Sequence, residues 1–186
     1  MNAMHTIFRS TIFAAIYLCC IITHASAQQP VSITRSPYHA GSRELGEIEK
    51  LIDNSISYAE DMLVKQGAYS PYAVALTVTD SVVKIDMPAG YDNQQLQGVL
   101  TDVKTALRAG ANNGRYKAVA LFYDATVTNP ATGKPTDAIA VFTEQMNTAG
   151  SYTFYYPYRK TEQRKIATDT PFGSGSDNEI FTSVSR

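Results

Sequence analysis

Three runs in the second half of the chain constrain its fold most: RYKAVALFYDATVT (115–128), TDAIAVFTEQ (136–145) and SYTFYYPYRK (151–160). Large apolar residues alternate with small or polar ones in each, the period of a strand with two distinct faces. NPATGKP (129–135) and Asn147-Thr148-Ala149-Gly150 separate them, and both are rich in turn formers. A meander of three antiparallel strands follows.

Upstream the period changes. Leu45, Ile48, Ile52, Ala59, Met62 and Leu63 recur at three- and four-residue spacing, which predicts one long helix over 42–65 with its stop at Gly67. Tyr72, Val74, Leu76 and Val78 then alternate with Ala73, Ala75 and Thr77. Thr79-Asp80-Ser81 turns that strand back into Val82–Asp86. Asp92, three residues before Gln95, opens a second helix in the manner of a capping box. Its stripe is Leu96, Val99, Leu100, Val103 and Leu107, and Gly110 or Gly114 ends it. TDTPFGSGSD (168–177) has the composition of a loop, with a last short strand expected over Glu179–Val184. The order α-β-β-α-β-β-β predicts an α+β domain over 42–186, an antiparallel sheet of about five strands with both helices on one face.

Turns centred near Thr132 and Thr148–Ala149 would gather Leu121, Tyr123, Val127, Ile139, Val141, Phe154, Tyr156 and Tyr158 on the helix-covered face. Val74, Leu76, Val78 and Ile85 fit there too. The opposite face would collect Ala73, Ala75, Ala118, Ala120, Ala138 and Ala140, with Phe122, Phe142 and Tyr155 as its large groups. A slip of one residue in any strand exchanges these faces. Pro157 lacks a ladder donor, so the aromatic strand is expected to lie at an edge or to be irregular there.

The first 27 residues place Arg9 before an apolar run, Ile12–Ile22, that ends in Thr23-His24-Ala25-Ser26-Ala27. This is the layout of a secretory signal peptide, with cleavage expected after Ala27 and a flexible entry segment over 28–41. The apolar run is too short to cross a bilayer core of about 30 Å, so no permanent span is expected. No lipid anchor is expected either, because Cys19 follows Ile16-Tyr17-Leu18 and lacks the small residues that an acylated cysteine requires. Cleavage would remove Cys19, Cys20, His5 and His24, leaving a mature chain in the periplasm or medium without disulfide or thiol. A multi-histidine metal site is then excluded, since His39 alone remains. The net charge of −1 gives no basic excess for nucleic acid.

The segments SYAEDMLVKQGAYSPYAVAL, RYKAVALFYDATVTNPATGKPTDAIAVFTEQ and YYPYRK together resemble a family of small bacterial α+β proteins with no assigned activity. The likeness runs over residues 45–160 and implies a similar order of helices and strands. It implies no catalytic residue.

Asp124 puts a carboxylate inside an apolar strand, where it is costly unless paired, so it is a candidate binding group. Its simpler role is to point to the small-residue face, toward water or Arg159. Asp124, Asp137 and Glu144 could supply paired acids for glycoside hydrolysis, which need about 5–10 Å between carboxylates. Asp137 and Glu144 differ in parity and should project oppositely, whereas Asp124 and Glu144 should share a face. No calcium-loop spacing is present. Gly133-Lys134 lacks the upstream glycine and the Ser or Thr of a phosphate loop. Arg159, Lys160, Arg164 and Lys165 form a short basic run.

The alanine-rich face, with Asp124, Glu144, Tyr155 and Arg159, is either an interaction surface or the seat of the C-terminal segment. The first function to follow is an exported, non-enzymatic domain that binds another exported protein or itself, as inhibitor or immunity proteins do, with no cofactor. The second is a hydrolase or small-ligand binder using Asp124, Glu144 and Arg159.

Overall fold

The structure, a computed structural model, describes residues 43–86, 96–162 and 165–182. The expected signal peptide, its cleavage point, the entry segment, the Asp92 helix start, Arg164 and the end of the last expected strand lie outside them. In chain order the elements are α1 (Arg43–Asp53), α2 (Ile56–Gln66), β1 (Tyr72–Thr77), β2 (Val82–Ile85) and α3 (Leu96–Asn112). They continue as β3 (Tyr116–Thr128), β4 (Pro135–Gln145), β5 (Ser151–Lys160), β6 (Ile166–Thr168) and β7 (Phe172–Ser176). The fold is α+β, as expected, around an antiparallel sheet ordered β2-β1-β3-β4-β5-β6, with β7 also pairing β5. Among the described residues no helix is long and apolar enough to cross a membrane.

The long first helix is broken in two. Asn54 donates through its side chain to the Lys50 carbonyl at 2.7 Å, and the Ser55 carbonyl accepts the Tyr72 hydroxyl at 2.7 Å. The Ser55 amide bonds to the Ile52 carbonyl at 2.9 Å, three residues back instead of four, and with these local bonds the chain bends at Asn54–Ser55. The second piece stops where expected, at a left-handed Gly67 whose N–H reaches the Leu63 carbonyl.

The register corrects the expected faces. Phe122 pairs with Val141 and Tyr123 with Ala140, so the even residues of β3 share a face with the odd residues of β4. The reversal is set in the β3–β4 loop. Asn129 accepts the Ala131 amide on its side chain and the Gly133 amide on its carbonyl, centring the turn between Ala131 and Thr132. β2 is also reversed: Ala73 pairs with Ile85, which leaves Ile85 on the face opposite Val74. Val78 lies beyond β1 and is exposed.

One face carries Tyr72, Val74, Leu76, Ala118, Ala120, Phe122, Ile139, Val141, Phe154 and Tyr158, packed against Ile48, Leu51, Ile52, Ala59 and Leu63 of α1 and α2. The other carries Ala73, Ala75, Val119, Leu121 and Phe142 against Val99, Leu100, Val103 and Leu107 of α3, together with Ile180. The helices therefore lie on both faces, and the alanine-rich surface expected to be open does not exist as such. The reason is steric as well as topological. Ala73, Ala75, Ala138 and Ala140 are fully buried on one face and Ala118 and Ala120 on the other, small residues that let a helix approach each side.

β6 and β7 occupy stretches expected to be irregular, so the sheet has more strands than anticipated. FGSGS pairs as β7 with Ser151–Tyr155, while β6 pairs with Tyr158–Lys160. The break between those partners falls at Tyr156 and Pro157, as the missing proline donor demands. The Pro157 carbonyl is instead used by the Asp169 amide at 2.9 Å.

Candidate functional site

The four residues singled out from sequence do not converge. Asp124 lies opposite Ile139, on the α1–α2 face. Glu144 points to the other face and is 2 % exposed. Its carboxylate accepts the amides of Glu179, Ile180 and Phe181 at 2.8, 2.8 and 2.7 Å. Three consecutive N–H groups on one carboxylate form an anion nest, so Glu144 holds the C-terminal segment and its burial closes it to a ligand. Lys104 reinforces the seat by bonding both Glu179 carboxylate oxygens at 2.8 Å, and Arg108 donates to the Glu179 carbonyl. Tyr155 is half-buried, its ring centroid 5.3 Å from that of Phe172. Arg159 forms an exposed ion pair with Asp169 at 2.8 Å. Of the four, Asp124 lines a cavity.

That cavity exists because β3 and β4 outrun the helices. Past Phe122 the same face continues with Asp124 and Thr126 on β3 and Asp137 on β4. The α2–β1 connection, Gly67 to Pro71, forms a wall, and β5 contributes Tyr158 and Lys160, enclosing about 370 Å³. The Tyr158 hydroxyl donates to Asp124 Oδ1 at 3.1 Å, Thr126 donates to Asp137 Oδ1 at 2.9 Å, and Lys160 donates to the Gly67 carbonyl at 3.0 Å.

Burial pushes the Asp124 carboxyl above the usual carboxylate range. The Tyr158 hydrogen bond opposes the rise, Asp137 adds to it by repulsion, and Lys160 opposes it more weakly than Asp137 promotes it. The Tyr69 hydroxyl is held protonated, first by burial and then by neighbours that include Tyr72, Asp124 and Tyr158. Tyr69 is 6 % exposed, and its hydroxyl finds no hydrogen-bond partner among the described residues. A buried hydroxyl in that condition costs about 1–3 kcal/mol unless a water or a bound molecule meets it.

Sequence reasoning missed Tyr69 altogether and treated Tyr158 as core alone. Nothing in GAYSPYAV distinguishes a buried tyrosine with a hydrogen-bond partner from one without. Asp137 stands beside Asp124 among the sequence candidates, but the register that makes them neighbours is not legible there. Among the described residues no group of three or more His, Cys, Asp or Glu is placed to hold a metal ion.

No family model matches the chain, no curated protein matches it, and no solved structure matches it.

Proposed function

We propose that this chain is an exported, non-catalytic domain that binds a small molecule in the cavity beside Asp124. The observation that carries the reading is the Tyr69 hydroxyl, buried and without a partner among the described residues, on a residue that lines a cavity together with a half-buried carboxylate. Folding alone gains nothing from the Tyr69 hydroxyl, since a phenylalanine there would avoid its desolvation. Pockets for small ligands combine apolar and aromatic walls with a few such polar groups. Export is the reading of residues 1–27, and the expected macromolecular surface is replaced because α3 and residues 179–181 occupy that face.

A protein-observed NMR screen of a small-molecule library tests this. Binders should shift the backbone amides of Gly67, Tyr69 and Ala125, and Asp124→Asn should abolish those shifts while keeping the folded spectrum. A library whose binders all map elsewhere, or that yields none, would contradict the proposal.

A further inference from the structure

The chemistry of the cavity wall selects among ligand classes. Two carboxylates, Asp124 and Asp137, lie on adjacent strands as diagonal neighbours of one face, and each has already spent one oxygen on a hydroxyl. Asp124 also takes a bond from the Ala125 amide, but a carboxylate has about four lone-pair sites, so both carboxylates keep acceptor capacity and the Tyr69 hydroxyl oxygen adds a third acceptor. The cation lining the same cavity, Lys160, is tethered to the Gly67 carbonyl, where the cavity adjoins a second one lined by Lys65 and Lys160. Asp137 thus stands beside Asp124 as a second negative group, while Lys160 is turned to the Gly67 carbonyl.

Resting on the ligand-binding reading above, we infer that the occupant carries a protonated primary amine, its ammonium group placed between Asp124 and Asp137 beneath the Tyr69 hydroxyl. An ammonium offers three donors to those three acceptors and offsets the repulsion between the carboxylates. A neutral polyol would satisfy the hydrogen bonds and leave the repulsion in place. An anion would meet two like charges. The rings of Tyr69 and Tyr158, with Pro71 and Leu96, provide an apolar wall for the rest of the molecule and a π-surface for its charged end.

The test uses three probes on the full chain: phenethylamine, N-acetylphenethylamine and methyl α-D-glucoside, followed by NMR shifts of the Gly67, Tyr69 and Ala125 amides. Phenethylamine should shift these amides, with N-acetylation weakening binding by about tenfold or more, because acetylation removes the charge and two donors. Asp137→Asn, an exposed position that leaves the fold intact, should weaken phenethylamine binding several-fold. Equal or tighter binding of the acetylated probe or of the glucoside at the same amides would overturn the amine and leave the cavity a binding site. Absence of shifts from phenethylamine would also overturn it. Failure of the whole library at these amides would remove the binding reading as well.

Discussion

The Ile180 amide donates a 2.8 Å hydrogen bond to the carboxylate of Glu144, 36 positions earlier in the chain. With the amides of Glu179 and Phe181 on the same group, this joins the C-terminal segment to β4 and lays Ile180, fully buried, over the α3 face. Glu144→Gln replaces an acceptor-only carboxylate by an amide whose NH₂ must face N–H donors. The expected loss is about 3–5 kcal/mol, as for a buried charge-assisted network broken on one side. Urea denaturation measures the loss, and hydrogen exchange at residues 179–181 should accelerate relative to β3. Unchanged protection there would show that the nest does not hold the segment.

Gly110 faces Tyr116 so closely that a β-carbon would sit 2.0 Å from the ring. Gly110→Ala therefore has to push α3 off the start of β3, despite alanine's better helix propensity. A destabilisation of about 1–3 kcal/mol is expected, the ordinary cost of overpacking. A stabilised variant in thermal denaturation would mean that α3 lies farther from Tyr116.

Asp124 gives stability an unusual pH dependence. Its folded pKa lies above the unfolded value, so the folded state binds its proton more tightly. Ionisation of Asp124 then costs stability above its folded pKa, and the cost is relieved as pH falls through that value toward the unfolded pKa. Asp124→Asn keeps an acceptor for Tyr158 and should stabilise the protein at pH 7. Because the group is half-exposed, the gain should be at most about 1 kcal/mol, roughly 2–4 °C in Tm. The gain should vanish below the unfolded carboxylate pKa, near pH 4. A loss of stability at pH 7 would show that the ionised carboxylate supports the fold.

The same contrast runs through what could be read in the sequence. Periodicity placed β1 to β5 and the apolar stripes of the helices, because burial of one face dictates residue type directly. It also placed Tyr152, Phe154, Tyr156 and Tyr158 on the face shared with Ile139 and Val141, which the observed pairing bears out. It failed for β3, where Asn129 and the turn it organises moved the register by one residue and exchanged Leu121 and Tyr123 with Phe122 and Asp124. It failed for FGSGS, whose strand conformation comes from pairing with β5 and not from its own composition. Local bonds of Asn54 and Ser55 split the first helix for a similar reason. Asp124 stood out because a carboxylate in an apolar strand is a chemical anomaly. Tyr69 did not, because a missing hydrogen-bond partner is a property of the folded surroundings alone.

If the Tyr69 hydroxyl is kept for a ligand and not for the fold, its removal should cost the unliganded protein nothing. Urea denaturation of Tyr69→Phe without ligand tests it most directly, since the substitution removes one oxygen and nothing else. Stability equal to or slightly above that of the parent is expected, with phenethylamine binding weakened. A loss of more than about 1 kcal/mol would show that the hydroxyl serves a structural hydrogen bond, and would contradict it.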